Sequence, residues 1–154
     1  MKIVQFDSND VSTYFEQLFE LKCRSLKMSF RDGECENIEQ TCREKLLELP
    51  GYIENKKAIV FGALEEDVLI GFLWAYPRTF FNQPRMFVNG IAVLENFEGT
   101  VIAKALMSEL VKYSKNADYQ AIDLTAAPFN ENAIGFYRYL GFNDERIQMV
   151  MPLN

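Results

Sequence analysis

A single α+β (mixed α/β) domain is what this sequence predicts, and three observations predict it. Apolar runs of strand length alternate with stretches whose apolar residues recur at helical spacing. The runs at 58–64 and 68–76 are parted only by Glu65-Glu66-Asp67, an antiparallel hairpin signal, whereas later runs are parted by whole helices, which implies parallel pairing. The 154 residues, 49% hydrophobic and 25% charged, suit one domain with a sizeable core and are too few for two ordinary ones. The expectation is one domain over residues 1–154, its mixed, mostly antiparallel twisted sheet of about six strands flanked by about four helices.

The elements follow in order. Lys2 to Phe6 reads as a strand, and Asp7-Ser8-Asn9-Asp10 then supplies helix-capping residues. Val11, Tyr14, Phe15, Leu18 and Leu21 continue at helical spacing. After a polar break at 31–36, Asn37 as cap and Gln40 as its third-position partner open a second helix, striped by Ile38, Cys42, Leu46 and Leu49 and ended by Pro50-Gly51. Strands are expected at 58–64, 68–76 and 85–94. Residues 98–115 carry Ile102, Ala105, Leu106, Leu110 and Tyr113 on one helical face. A short strand at 121–127 stops at Pro128, a helix follows from Asn130, and a last strand is expected near 142–152.

Composition excludes several function classes. A net charge of −6 lacks the basic footprint of a nucleic-acid binder, and mildly favours a cationic acceptor such as an amine. The absence of histidine removes the commonest general base and the commonest metal ligand. Cys23, Cys35 and Cys42 are odd in number and form no C-x-x-C pair, so neither a disulfide framework nor a metal site is expected. No apolar run has membrane-spanning length and the start lacks signal-peptide features, so a cytoplasmic protein with no membrane partner is expected.

The most informative stretch is Asn130 to Phe142. Asn130 is placed to cap a helix and Gly141 to stop it in the left-handed conformation. Ala133, Phe136, Tyr137 and Leu140 form one apolar stripe between them. This pattern, N-x-x-A-x-x-F-Y-x-x-L-G-F, resembles the last helix of the GNAT superfamily of acyl-CoA-dependent N-acyltransferases. The element order resembles that fold over nearly the whole chain.

The resemblance implies acetyl-CoA as co-substrate, with no metal. In that family a loop of the form R/Q-x-x-G-x-G/A follows the central strand, and its amides hold the coenzyme A pyrophosphate. The aligned segment here offers Gly99, Thr100, Val101, Ile102, Ala103 and Lys104. Glu98 stands where the family prefers arginine or glutamine, and Val101 where it prefers glycine. A carboxylate facing a pyrophosphate opposes it by about 1 kcal/mol per pair at ~4 Å in water, while the amides remain and Lys104 adds positive charge. By the same resemblance Ile91 and Val93 lend main-chain groups to the pantetheine arm, and Asn130 hydrogen-bonds it.

The chemistry implied is direct attack by a primary amine of a small molecule or peptide on the thioester. Tyr137 is the candidate general acid for the departing thiolate, since a phenol titrates near ~10. Glu95 is the first candidate base, ahead of Asp123 and of Asn89 as a water-positioning group. Phe30, Tyr52, Trp74, Tyr76, Phe80 and Phe81 are candidates for the acceptor pocket. The alternative is a non-catalytic protein of the same fold that binds acyl-CoA or a protein partner. The alternation of Ile147-Gln148-Met149-Val150-Met151 suits an edge strand, through which a homodimer would pair.

Overall fold

A computed structural model of the chain describes residues 1–97 and 99–154, with the backbone but not the side chain of Thr100. The elements are β1 (Lys2–Gln5), α1 (Ser8–Thr13), α2 (Phe15–Ser29), α3 (Ile38–Glu54), β2 (Ile59–Glu65), β3 (Val68–Phe80), β4 (Gln83–Val93), α4 (Thr100–Asn116), β5 (Ala121–Asp123) and α5 (Glu131–Leu140). A single 3-10 turn, Glu95–Phe97, joins β4 to the segment before α4. The five strands lie in sequence order, β1-β2-β3-β4-β5. The first three pairings are antiparallel and β4–β5 is parallel, as the hairpin and helix connections predict.

Local chemistry explains the boundaries. Asp7 and Asp10 cap α1 reciprocally, each carboxylate accepting from the other residue's backbone N–H at 2.9 Å. The expected single helix breaks at Tyr14, giving the short α1 and the longer α2. At α3 the expected capping pair is not made. Asn37 sits in the left-handed region with no side-chain cap bond, and Gln40 instead donates to Glu44. Nor does Pro50 end α3, which runs on to Glu54. Proline forfeits one backbone donor there, while Leu46, Leu49 and Ile53 keep one apolar stripe on the core.

Both hairpins turn on two residues with positive φ, Glu66-Asp67 and Phe81-Asn82, as type I′ turns require. The second turn lengthens β3 and β4 beyond their expected ends, pairing Phe80 with Gln83. The expected last strand does not form. Residues 142–154 carry no strand, and Ile147, Met149, Val150, Met151 and Leu153 are exposed. Their alternation satisfies one face of a strand, but none of the five strands pairs with them. The sheet therefore has five strands where about six were expected.

Two cores sandwich the sheet. On one face α1, α2 and α3 pack through Leu18, Leu21, Leu46 and Leu49 onto Phe72 and Trp74. On the other α4 packs through Leu106 and Leu110 onto Phe61, Leu73 and Met86, with Tyr137 and Leu140 of α5 beside them. The first core closes around Gly62, where an added Cβ would lie 2.5 Å from the Phe6 ring and 2.9 Å from Leu69. Gly62→Ala is expected to destabilise the protein by about 2 kcal/mol through overpacking. Urea denaturation measures it, and an unchanged midpoint would show that Phe6 yields freely.

An ion-pair cluster fastens the parallel edge. Asp123 of β5 binds Arg78 of β3 and, at 3.2 Å, Arg85 of β4. Arg85, nearly buried, also holds Glu145 through two bonds of 2.7 Å, tying the start of the C-terminal tail to the sheet.

Candidate active site

Strand β5 covers only Arg85, Met86 and Phe87 of β4, so Val88 to Val93 have no strand on that side. The main chain of this stretch borders a parting in the sheet. The helices α2 and α3 cover one of its faces, α4 and α5 the other. A bulge marks the same place. Trp74 pairs with Gly90 and Ala75 with Val88, leaving Asn89 as an extra residue in β4. Helix α2 approaches closely at Gly90, where an added Cβ would meet Ser25 Oγ at 3.2 Å and Lys22 Nζ at 3.3 Å.

At the end of β4 the chain turns into α4. Gly99 is its N-cap and has no side chain to cap it, and among the described residues the first turn holds no acidic one. The first amides of a helix lack intrahelical partners, and its dipole is positive at that end. Val101 is exposed, while Ile102 packs inward beside Gly71. Ala103 is half-buried. Lys104 points to α5, its Nζ 3.5 Å from Tyr139 Oη and 5.5 Å above that ring. Ile91 and Val93 stand half-buried on the parted strand. Glu98 lies outside the described residues, as does the side chain of Thr100.

Helix α5 faces the parting from the other side. Asn130 caps it, Oδ1 accepting from the Ala133 N–H at 3.3 Å. Its amide nitrogen is not left free, because it donates to the Met28 carbonyl at 3.3 Å and ties α5 to the end of α2. Gly141 ends the helix in the left-handed region as the sequence predicts. Tyr137 lies between the rings of Phe136 and Phe142, each 5.7 Å away by centroid. Burial holds its phenol above the ordinary tyrosine range, and its hydroxyl has no protein partner among the described residues. Arg138 is engaged by Asp144 at 2.9 Å.

The candidate bases separate. Asp123 is committed to Arg78 and Arg85. Glu95 is exposed on the 3-10 turn directly after β4. Asn89 lines a cavity of about 310 Å³ on the α2–α3 face, together with Trp74, Tyr76, Lys45, Glu48, Tyr52 and Lys57. Three of the expected aromatic residues thus meet in one cavity. Phe80 and Phe81 instead line a separate cavity of about 360 Å³ at the second hairpin with Arg85 and Arg146, and Phe30 lines neither.

Sequence reasoning missed Lys22. Its side chain is 1% exposed, its Nζ has no hydrogen-bond partner among the described residues, and it sits 4.8 Å above the Trp74 ring. Burial, reinforced by Lys45, pushes its ammonium down to about 8. The only available signal was its position four residues after Leu18, on the buried stripe of α2.

Comparison with known proteins agrees with this geometry. Residues 15–142 match the acetyltransferase (GNAT) family. No curated protein matches the chain. An aminoglycoside acetyltransferase from an uncultured soil metagenomic sample superposes with a TM-score of 0.76 at 22% identity, covering 99% of this chain and 98% of that one. The aminoglycoside N-acetyltransferase AAC(6')-Iy in complex with CoA gives 0.75 at 21% identity, covering 98% and 93%. A ribosomal-protein-alanine N-acetyltransferase from Brucella melitensis biovar Abortus 2308 gives 0.69 at 17% identity, covering 99% of each chain. Identities this low carry the fold and not the acceptor, and two of the three are named for aminoglycosides and the third for a ribosomal-protein alanine. With the parted strand, the uncapped helix start and the match over residues 15–142, the chain belongs to the acetyltransferase (GNAT) family.

Proposed function

We propose that this protein moves an acetyl group from acetyl-CoA to a primary amine by direct attack. The observation that carries the reading is a juxtaposition. The free edge of β4 leads into the uncapped start of α4, and the unpartnered phenol of Tyr137 comes from α5 on the same face.

The residues present fit such a co-substrate. The amides of Gly99 to Lys104 suit a pyrophosphate, with Lys104 adding positive charge. The main chain at Ile91 and Val93 has no β5 partner and is available to the pantetheine arm. A free backbone N–H on this edge would also polarise the acetyl carbonyl. Bound acetyl-CoA supplies the thioester carbon and the thiolate leaving group. Tyr137 delivers the proton to the departing sulfur, and its raised pKa keeps it in the acid form at neutral pH. Glu95, at the end of β4, accepts the proton lost by the amine, directly or through water. Asn130 holds the mouth of the parting by joining α5 to α2.

Calorimetric titration with acetyl-CoA and with free CoA tests this reading. Micromolar binding is expected, and Ala103→Glu is expected to weaken it at least about tenfold by placing a carboxylate at the anion site. Absence of heat at millimolar acetyl-CoA would sink the reading.

A further inference from the structure

The molecule carries a net charge of −6, yet the cavity beside the parted strand has the opposite sign. Its charged lining is Lys45, Lys57 and Glu48. Glu48 is engaged by the Tyr52 hydroxyl at 2.9 Å, whereas neither lysine has an ion-pair partner among the described residues. Behind the Trp74 wall lies a third amine, Lys22, buried and unpartnered. Like charges gathered in a partly enclosed space repel one another, so the arrangement favours an anionic occupant. Trp74, Tyr76 and Tyr52 supply ring faces for the rest of that occupant.

We propose that the acceptor is a small primary amine that also carries an anionic group, a carboxylate or a phosphate. The anion sits between Lys45 and Lys57, and the amine is directed toward Asn89 and the parted strand. The assignment rests on the acetyltransferase reading and names its substrate class. In the reaction the amine nitrogen bonds to the acetyl carbon as the carbon–sulfur bond breaks. The thiolate takes a proton from Tyr137, and the proton shed by the new amide nitrogen passes to water, through which it reaches Glu95. A polycationic acceptor such as an aminoglycoside is disfavoured in this cavity by the same charges.

Trp74 is the single tryptophan of the chain and lines the cavity, so its fluorescence reports occupancy without any cofactor. The protein is titrated with phenylalanine and phenylalaninamide, with phosphoethanolamine and ethanolamine, and with neamine. The first pair tests a carboxylate and the second a phosphate. At least one anionic member is expected to bind about tenfold or more tightly than its uncharged-group partner, with that preference lost in the K45Q/K57Q double variant. Equal or tighter binding of the neutral partners or of neamine overturns the assignment. So does a signal from no anionic probe, or a preference that survives the double variant. Acetyl-CoA calorimetry on the same sample separates the two readings. Binding of anionic amines without acetyl-CoA binding removes the reaction and keeps the cavity assignment, and the reverse result does the opposite.

Discussion

Lys22→Met is expected to make the protein more stable at pH 7, by up to about 3 kcal/mol. The parent buries an ammonium group that has no hydrogen-bond partner among the described residues, and burial with repulsion from Lys45 holds its pKa near 8, against an ordinary 10.5. Unfolded chains keep that proton up to the ordinary value. Between about 8 and 10.5 the unfolded state therefore binds more protons than the folded one, and parental stability rises with pH. Below 8 both states are protonated and the folded state carries the full cost. The advantage of the variant should thus be largest below pH 8 and shrink toward 10.5. The groups facing Lys22 are Ser25 on α2, Trp74 on β3 and Cys42 and Lys45 on α3. Of these Cys42 acts in the opposite sense. Burial and the Cys23 thiol push it up to about 12 from 9.0, so the folded state keeps a proton there that the unfolded state loses. Its contribution falls above pH 9 in both proteins and largely cancels in their difference. Paired urea titrations from pH 6 to 10.5 read the effect. A variant less stable at pH 7, or a difference that is flat with pH, would contradict it.

Tyr137→Phe is expected to lower kcat about 100-fold while leaving acetyl-CoA affinity unchanged. The hydroxyl makes no protein hydrogen bond among the described residues, so its removal should change stability by no more than about 0.5 kcal/mol. That separation of rate from stability distinguishes a proton donor from a core aromatic. Burial raises the phenol's pKa, so the acid form persists past the ordinary tyrosine value of 10.0. The alkaline fall in kcat should accordingly lie above pH 10 in the parent. Thiol release from acetyl-CoA, measured with an acceptor, follows both quantities. An unchanged kcat would return Tyr137 to a packing role and favour a non-catalytic protein of this fold.

What the sequence made legible depended on whether the signal was local. The Asn130 cap, the Gly141 stop and the stripe through Tyr137 are written within a dozen consecutive residues, and the structure forms them as read. The Glu66-Asp67 hairpin was equally local. The Phe81-Asn82 turn was not read, because an exposed phenylalanine in the left-handed region is an unusual choice that the pairing of β3 with β4 overrides. Pro50 suggested an end to α3, but the tertiary stripe of Leu46, Leu49 and Ile53 outweighed one lost donor. The expected last strand failed for a different reason. Alternation shows which residues share a face, but not whether a partner strand exists. The aromatic wall of the cavity was legible in Tyr52, Trp74 and Tyr76, but its basic lining was not. Lys45 and Lys57 meet only after α3 and β2 have folded, and Lys22 looks like any surface lysine until its helix is docked.

Strictly sequential strand order has a consequence for how the molecule comes apart and together. Strands β2, β3 and β4 join through two-residue turns, so their pairing is almost wholly local and closes quickly. Strand β5 reaches β4 only after a crossing helix, and three residue pairs with the Asp123 ion pairs hold it there. The meander can therefore persist while β5 and α5 detach as a separate cooperative unit, the low-stability end of the molecule. Because the parting lies along that same seam, the region that would admit a ligand is also the last to assemble, and an occupant spanning the seam would knit the two units into one.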